Sequence, residues 1–213
     1  MYRKFGKRLF DIIASLLSLI ILSPILLITA ILVRVKLGKP IIFKQPRPGR
    51  HCKIFNLYKF RSMTNKTDEN GQPLPDIQRL TSFGKTLRST SLDELPSLIN
   101  ILKGDMSIVG PRPLLVEYLP YYTKEEARRH DVRPGITGLS QVNGRNLLAW
   151  DDRLAMDILY VDKISFFIDM KIILKTILKV VKRDGVVVRD ANVMLDLNVE
   201  REMKNETNQE IAC

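Results

Sequence analysis

From Ile12 to Val33 the chain reads IIASLLSLIILSPILLITAILV, an apolar run without a charge and with a Ser-Pro step at its midpoint. As one straight helix it would reach about 33 Å, enough to cross a hydrocarbon core of roughly 30 Å. Pro24 opposes that. It has no N–H to donate, its ring clashes with the preceding turn, and it drives Ser23 away from helical angles. The pattern predicts two half-helices of about eleven residues, each about 16 Å long and deep enough for one leaflet. The Ser23 hydroxyl is placed to satisfy the backbone carbonyl that Pro24 leaves without a donor, which matters in lipid.

Both flanks of the run are basic: Arg3, Lys4, Lys7 and Arg8 before it, Arg34, Lys36, Lys39, Lys44, Arg47 and Arg50 after it. Lysine and arginine favour the cytoplasmic side of a membrane. A spanning helix would strand one cluster outside, whereas a chain that turns back at Ser23-Pro24 keeps both inside. A kinked spanning helix is the alternative. A signal peptide fits poorly, because no small-residue cleavage site follows and the run is too long. Asp11 is expected near the headgroups, paired with a neighbouring Arg or Lys.

Beyond the run, 40–45 (PIIFKQ) and 52–60 (CKIFNLYKF) are short β-branched and aromatic stretches around a Pro/Gly loop, which predicts a β-hairpin. Residues 64–79 are polar and turn-rich. Residues 81–107 contain one clear helix ending near Gly104, TKEEARRHD is a charged helical stretch, and RPGITGLSQVNGR is irregular. Residues 151–182 return to helical spacing. There Lys171, Lys175, Lys179 and Lys182 lie beside Ile172, Ile173, Ile177, Val180 and Val181. Such a basic amphipathic helix either lies flat in a membrane interface or packs on the domain core.

Charge sharpens this picture. Residues 1–64 hold thirteen Lys or Arg against one acid, while the remainder is nearly balanced, so the net +11 sits in and beside the apolar segment. That placement points to an anionic lipid surface. It argues against a nucleic-acid binder, and no motif of that kind is present. Cys52 and Cys213 lie far apart and suggest neither a disulfide framework nor a zinc site.

The candidate chemistry centres on SLDELP, residues 91–96. Ser91-x-x-Glu94 matches a capping box, an ordinary helix start, yet Pro96 falls too deep for a simple first turn. Asp93 and Glu94 are consecutive, and on a helix such neighbours point about 100° apart. They suit different roles: one carboxylate as a nucleophile toward phosphorus, the other holding a cation or a proton. Three Arg-Pro turns present Arg47, Arg112 and Arg133 from stiffened backbone, and guanidinium forks match phosphate oxygens. Lys59, Arg61, Arg88 and Arg145 add cationic heads. Phosphate beside carboxylate calls for a divalent ion, and Mg²⁺ fits. His51 and His130 read as surface or structural residues, and Trp150 as a packing or interface anchor. Asp157 and Asp169 read either as partners for the arginines or as solvated helix faces.

These segments together, KRLFDIIAS, the Ser23-Pro24 break, IFNLYKFRSM, RSTSLDELPSLINILKGDMSIVGPRP, RHDVRPGITGLSQVNGR and SFFIDMKIILKT, resemble the bacterial sugar transferases, and among them the small monotopic polyprenol-phosphate phosphoglycosyl transferases. LLVEYLPYY and the length are most similar to the type that handles phospho-N,N′-diacetylbacillosamine. The resemblance runs over about residues 1–185. It implies transfer of a sugar 1-phosphate from a UDP-sugar to polyprenol (undecaprenyl) phosphate at the cytoplasmic face of the bacterial inner membrane. UMP is released, and downstream glycosyltransferases would be further partners. It implies Asp93 as the nucleophile that forms a phosphosugar intermediate, and Glu94 assisting through Mg²⁺ or acceptor deprotonation. Both acids would contact the metal. Lys59, Arg88, Arg112 and Arg145 match basic positions of the family motifs and are expected on substrate phosphates.

The expected fold is α+β, mostly α with a small β-hairpin. A re-entrant membrane anchor occupies 1–36, a compact cytoplasmic catalytic domain with amphipathic interfacial helices 37–185, and a polar, loosely ordered tail 186–213. A non-enzymatic adaptor that binds anionic lipid is the alternative. It gives no reason to set two acids among phosphate-binding arginines.

Overall fold

The structure, a computed structural model, describes residues 2–144, 148–182 and 195–211. The apolar run forms α1 (Lys7–Ile21) and α2 (Ser23–Leu37), bent by 64° at the break. Among the described residues no single helix is long and apolar enough to cross a membrane. The Ser23 hydroxyl donates to the Ile20 carbonyl at 2.8 Å. That carbonyl lies four residues before Pro24, so the serine replaces the missing proline donor. Leucine and isoleucine side chains of both helices face outward, among them Leu17, Ile20 and Ile21 before the bend and Leu27, Ile28 and Ile31 after it.

Asp11 departs from expectation. It is 1% exposed and accepts hydrogen bonds from Ser107 Oγ (2.9 Å) and the Ile108 amide (3.0 Å). Its role is to tie α1 to the chain at Ser107 and Ile108 rather than to meet headgroups. Arg8, one turn earlier, donates to the Ile101 and Leu102 carbonyls at 2.5 and 2.8 Å. These are end-of-helix acceptors without partners inside their own helix. Lys7 reaches the fully buried Asp169 at 2.7 Å, and Tyr160 donates to the other oxygen of that carboxylate at 2.8 Å. Asp169 therefore lies on no solvated face.

The expected hairpin is present as β1 (Ile42–Pro48) and β2 (Ile54–Phe60), antiparallel, with Phe43 opposite Lys59, Gln45 opposite Leu57 and Arg47 opposite Phe55. Directly opposed residues share a face, so Arg47, Leu57 and Lys59 project together. The chain then forms α3 (Asp76–Arg79), α4 (Ser82–Ser89), a 3-10 segment Leu92–Ser97 and α5 (Leu98–Lys103), which ends on left-handed Gly104. Pro96 sits inside the 3-10 segment, which accounts for a proline too deep for a regular first turn. Leu57, Leu98, Ile101 and Met106 form the core beneath it.

A second small sheet was not expected. β3 (Ser107–Val109) runs parallel to β4 (Gly135–Thr137), inside a stretch read as irregular. The strands cross where Gly110 and Gly135 meet. A Cβ on Gly135 would come within 2.1 Å of the Gly110 nitrogen, so the approach requires glycine. After a 3-10 segment (Val116–Tyr121) come α6 (Lys124–Ala127), a further 3-10 turn (Arg128–Asp131), α7 (Leu139–Asn143), α8 (Trp150–Lys163) and α9 (Phe166–Lys182). The core-packing reading of α9 holds for one of its faces. Ile172 is buried against Val109, Val142 and Tyr160, while Phe167, Leu174, Ile177 and Leu178 are exposed. The side chains of Val181 and Lys182 lie outside those described. The fold is thus mostly helical with small sheets.

The tail expected to be loosely ordered instead contains α10 (Leu197–Ile211). Leu197 is fully buried with Leu114, Tyr118, Trp150 and Leu154. Asp196 accepts from the Tyr118 hydroxyl at 2.8 Å, and the Leu195 carbonyl from the Trp150 indole at 3.0 Å. One buried leucine in a polar helix leaves little periodic signal. Leu197→Ala should destabilise the protein by about 2–4 kcal/mol, read as a lowered unfolding midpoint. An unchanged midpoint would show that α10 does not belong to the cooperative unit.

Candidate active site

Ser91 adopts left-handed angles (φ 57) and makes no side-chain cap bond, so the capping box matched at Ser91 and Glu94 does not form. A true capping box occurs at Thr123 and Glu126. Freed from that role, the Glu94 carboxylate receives both Lys59 Nζ and Arg112 Nη2 on Oε1, each at 2.8 Å. The three groups come from separate elements, which is why each needs its own support. Lys59 lies near the end of β2, and β2 is fastened to α5 by buried Asn100. That side chain accepts from the Tyr58 amide at 3.0 Å and donates to the Asn56 carbonyl at 2.8 Å. Glu94 itself is braced by Ser97, whose hydroxyl donates to its carbonyl at 2.6 Å.

Arg112 follows the Gly110-Pro111 turn out of β3. Its backbone carbonyl accepts from Arg129 Nη2 at 2.7 Å. Arg129 is buried and paired with buried Asp157 at 2.8 Å, and Ser140 donates to the other Asp157 oxygen at 2.9 Å. The solvated-face reading of Asp157 is therefore overturned. Its partner is an arginine that carried no turn signal in the sequence. Arg133, the third Arg-Pro arginine, donates to the Gly104 carbonyl at 2.7 Å and supports the end of α5.

Asp93 is buried, at 7% exposure. Burial and the neighbouring Glu94 charge push its carboxyl up to about 6, against the pull of Lys59, Arg88 and Arg112. Glu94 behaves oppositely. Burial disfavours its charge, but Arg112 and Lys59 outweigh that and hold it well below the usual carboxylate range. Two adjacent acids are thus driven apart, the arrangement that assigns different roles to like groups. Arg88, half-buried on α4, donates to Ser62 Oγ at 2.9 Å while its charge favours ionised Asp93.

The structure thus brings together Asp93, Glu94, Lys59, Arg88 and Arg112. Arg145 lies outside the described residues. Ser23 and Pro24 lie at the bend between α1 and α2. His130 is buried, with burial first and Arg129 second pushing it down to about 4, and is structural. Trp150 is a packing residue, edge-on to Tyr118. Among the described residues no three metal-binding side chains come together.

The sequence model of the family described as bacterial sugar transferase matches residues 2–183. The chain belongs to the bacterial sugar transferase family. It is 53% identical over 180 residues to the uncharacterized sugar transferase EpsL of Bacillus subtilis, covering 84% of this chain and 89% of that protein. It is 45% identical to the UDP-glucose:undecaprenyl-phosphate glucose-1-phosphate transferase of Klebsiella pneumoniae, over 81% of this chain but 39% of that one. Identity to the exopolysaccharide production protein PSS of Rhizobium leguminosarum is 41%, over 83% and 96% of the two chains. The chain therefore matches short members of this sugar transferase family nearly end to end and corresponds to one part of the longer ones. α10 lies beyond the family match.

Because the folded-state value of Asp93 is raised, its stabilising contribution is complete below the unfolded value and is lost as pH rises through about 6. A neutral replacement keeps that contribution at pH 7. Asp93→Asn should stabilise the fold by about 1–3 kcal/mol at neutral pH and by much less at pH 4. Equal unfolding midpoints for both proteins at pH 7 would contradict the buried, upshifted carboxyl.

Proposed function

We propose that this chain moves a sugar 1-phosphate from a UDP-sugar to a polyprenol phosphate of the undecaprenyl type, with release of UMP, through a covalent bond from Asp93 to the transferred phosphorus. The observation that carries the reading is the opposite tuning of two neighbouring acids among Lys59, Arg88 and Arg112. Relatives named for sugar-phosphate transfer to undecaprenyl phosphate support the acceptor.

In the first step an Asp93 oxygen bonds to the β-phosphorus of the donor. The bond from that phosphorus to the bridging oxygen breaks, and the bridging oxygen leaves with UMP. In the second step a phosphate oxygen of the polyprenol phosphate attacks the same phosphorus and the Asp93 oxygen leaves, giving a polyprenol diphosphate sugar. A nucleophile must be ionised yet weakly held. Asp93 fits, since it ionises near neutrality and carries no hydrogen-bonded cation of its own among the described residues. Glu94, held strongly ionised by two cations, is a poor base and suits holding positive charge at the site. Mg²⁺ bound by Asp93, Glu94 and donor phosphate oxygens would offset the repulsion between carboxylate and diphosphate.

The same reading places the chain at the cytoplasmic face of the bacterial inner membrane, with α1 and α2 as a re-entrant anchor and the apolar side of α9 at the interface. The bent helix pair, its outward leucines and isoleucines and the basic flanks support this placement. A pure lipid-binding adaptor would leave the tuned acid pair without a role.

With sugar-labelled donor and Mg²⁺, wild-type protein should form a phosphosugar adduct on Asp93. Its rate of formation should fall about tenfold per pH unit below pH 6. Asp93→Asn should lose turnover by on the order of 10³-fold or more. Normal turnover by that variant rules out the nucleophile. For topology, Phe5→Cys and Lys39→Cys, each made in a Cys52→Ser, Cys213→Ser background, should both react with thiol reagents from the cytoplasm. Labelling of position 5 from the outer side contradicts the re-entrant anchor.

A further inference from the structure

Beside Glu94 lies an open cleft whose charged lining is Arg47, Lys59, Glu94 and Arg112, with Leu57, Met106 and Ile136 on its walls. Asp93 is not among its lining residues. Three cations face one acid there. Lys59 and Arg112 are both paired to the single Glu94 oxygen, so two of the three charges share one counter-charge. Arg47 shares neither contact: among the described residues it forms no ion pair, and the more weakly acting charges of Glu117 and Glu94 do not offset burial and Arg112. Its only hydrogen-bonded side chain is the neutral Gln45 amide at 2.7 Å, and its buried Nε is left without a partner. Burial and the nearby Arg112 charge push Arg47 down to about 10. A guanidinium that is half desolvated, crowded by another and unpaired is costly unless an anion meets it.

Its presentation is rigid. Arg47 stands between Pro46 and Pro48 in β1, both of fixed φ. The following turn closes on Gly49, where a Cβ would sit 3.0 Å from the Lys53 carbonyl and 3.2 Å from the Phe55 ring. A group held this firmly loses little freedom when a ligand arrives.

We propose that this cleft holds the α-phosphate of the donor, the phosphate that departs on the nucleoside monophosphate, and that Arg47 binds it. The assignment rests on the phosphosugar-transfer reading above. In-line displacement puts attacking and leaving oxygens on opposite sides of the reacting phosphorus. The attacking oxygen belongs to Asp93, which does not line the cleft but shares Lys59, Glu94 and Arg112 with it, so a phosphorus attacked by Asp93 at the cleft's edge has its leaving oxygen on the cleft side. As the bond to the bridging oxygen breaks, the electron pair passes to the leaving phosphate, which gains one negative charge. An uncommitted guanidinium at that position strengthens its interaction as the charge grows, and so lowers the barrier as well as binding the donor. Arg47 is thus a catalytic residue of the first step and has no part in the second, when the nucleotide has left.

The test is binding of UMP and of uridine to the full-length protein in lipid nanodiscs with Mg²⁺, for wild type, Arg47→Lys and Arg47→Gln. UMP affinity should fall about tenfold or more in Arg47→Gln and less in Arg47→Lys, which keeps the charge but not the fork. Uridine, which lacks the phosphate, should bind all three alike. On adduct isolated after donor labelling, discharge by polyprenol phosphate should proceed at the wild-type rate in Arg47→Gln. Wild-type protein that binds UMP while Arg47→Gln binds it within twofold overturns the assignment and leaves the transferase reading standing. Wild-type protein that binds no UMP overturns both. If Arg47→Gln fails to fold, Arg47→Lys decides: UMP affinity equal to wild type overturns the proposal, and a loss confined to UMP supports it.

Discussion

One carboxylate oxygen organises this site. Glu94 Oε1 takes Lys59 from the hairpin and Arg112 from the loop after β3, each at 2.8 Å. A half-buried acid with two cationic donors stays ionised, and its fixed negative charge then works against ionisation of the acid next to it. The cations that could have stabilised Asp93 are largely spent on Glu94. What remains is a buried carboxyl that ionises near neutrality and, among the described residues, has no hydrogen-bonded counter-ion, which is the state an oxygen nucleophile requires. Had Ser91 and Glu94 formed the capping box their spacing allows, Glu94 would have faced its own backbone and the asymmetry would vanish. The left-handed turn at Ser91, an uncommon conformation for serine, is what turns it away.

The apolar anchor is fastened to this site by polar contacts. Arg8 caps the carbonyl end of α5, Asp11 holds β3, and Lys7 reaches Asp169 on α9. Three residues within the first turn and a half of one helix thereby fix the 3-10 segment's successor, the strand that leads to Arg112 and the amphipathic helix. Buried charges on an isolated helix would be destabilising. Each here is satisfied by hydrogen bonds or an ion pair, so the contacts act as a register between the apolar helix pair and the acid pair. On the proposed function, a lipid-borne acceptor and a nucleotide donor would meet at one phosphorus, and a rigid link of this kind would set the height at which they do.

Local rules carried much of this fold into the sequence. Pro24 and its companion serine announced the bend, because the missing donor and the nearby hydroxyl are properties of adjacent residues. Alternating β-branched and aromatic residues around PRPGRH announced the hairpin. Features that depend on distant partners left no comparable trace. β3 and β4 are three residues each and exist because two glycines let backbones touch. Asp11 looked like a headgroup-level acid because Ser107 lies far along the chain. Arg129 and Asp157 had ordinary helix-face spacing, and only their burial shows that they brace Arg112. Leu197 enters the core from a mostly polar helix whose Val199 and Met203 stay exposed. At the site, SLDELP was legible as chemistry, but which acid carries which role is set by Lys59 and Arg112, and no local pattern encodes that. Arg47 was visible as a stiffened Arg-Pro turn, while its lack of an ion pair among the described residues is a property of the folded cleft.

The division of roles between Asp93 and Glu94 is tested most directly by titrating the carboxyls themselves. Infrared difference spectra of protein labelled with ¹³C-carboxyl aspartate, followed from acid to neutral pH, should contain an aspartate band with its midpoint near 6 that is missing from Asp93→Asn. A spectrum in which that band survives the substitution, or in which Asp93 titrates at the ordinary aspartate value of about 4, would contradict the account.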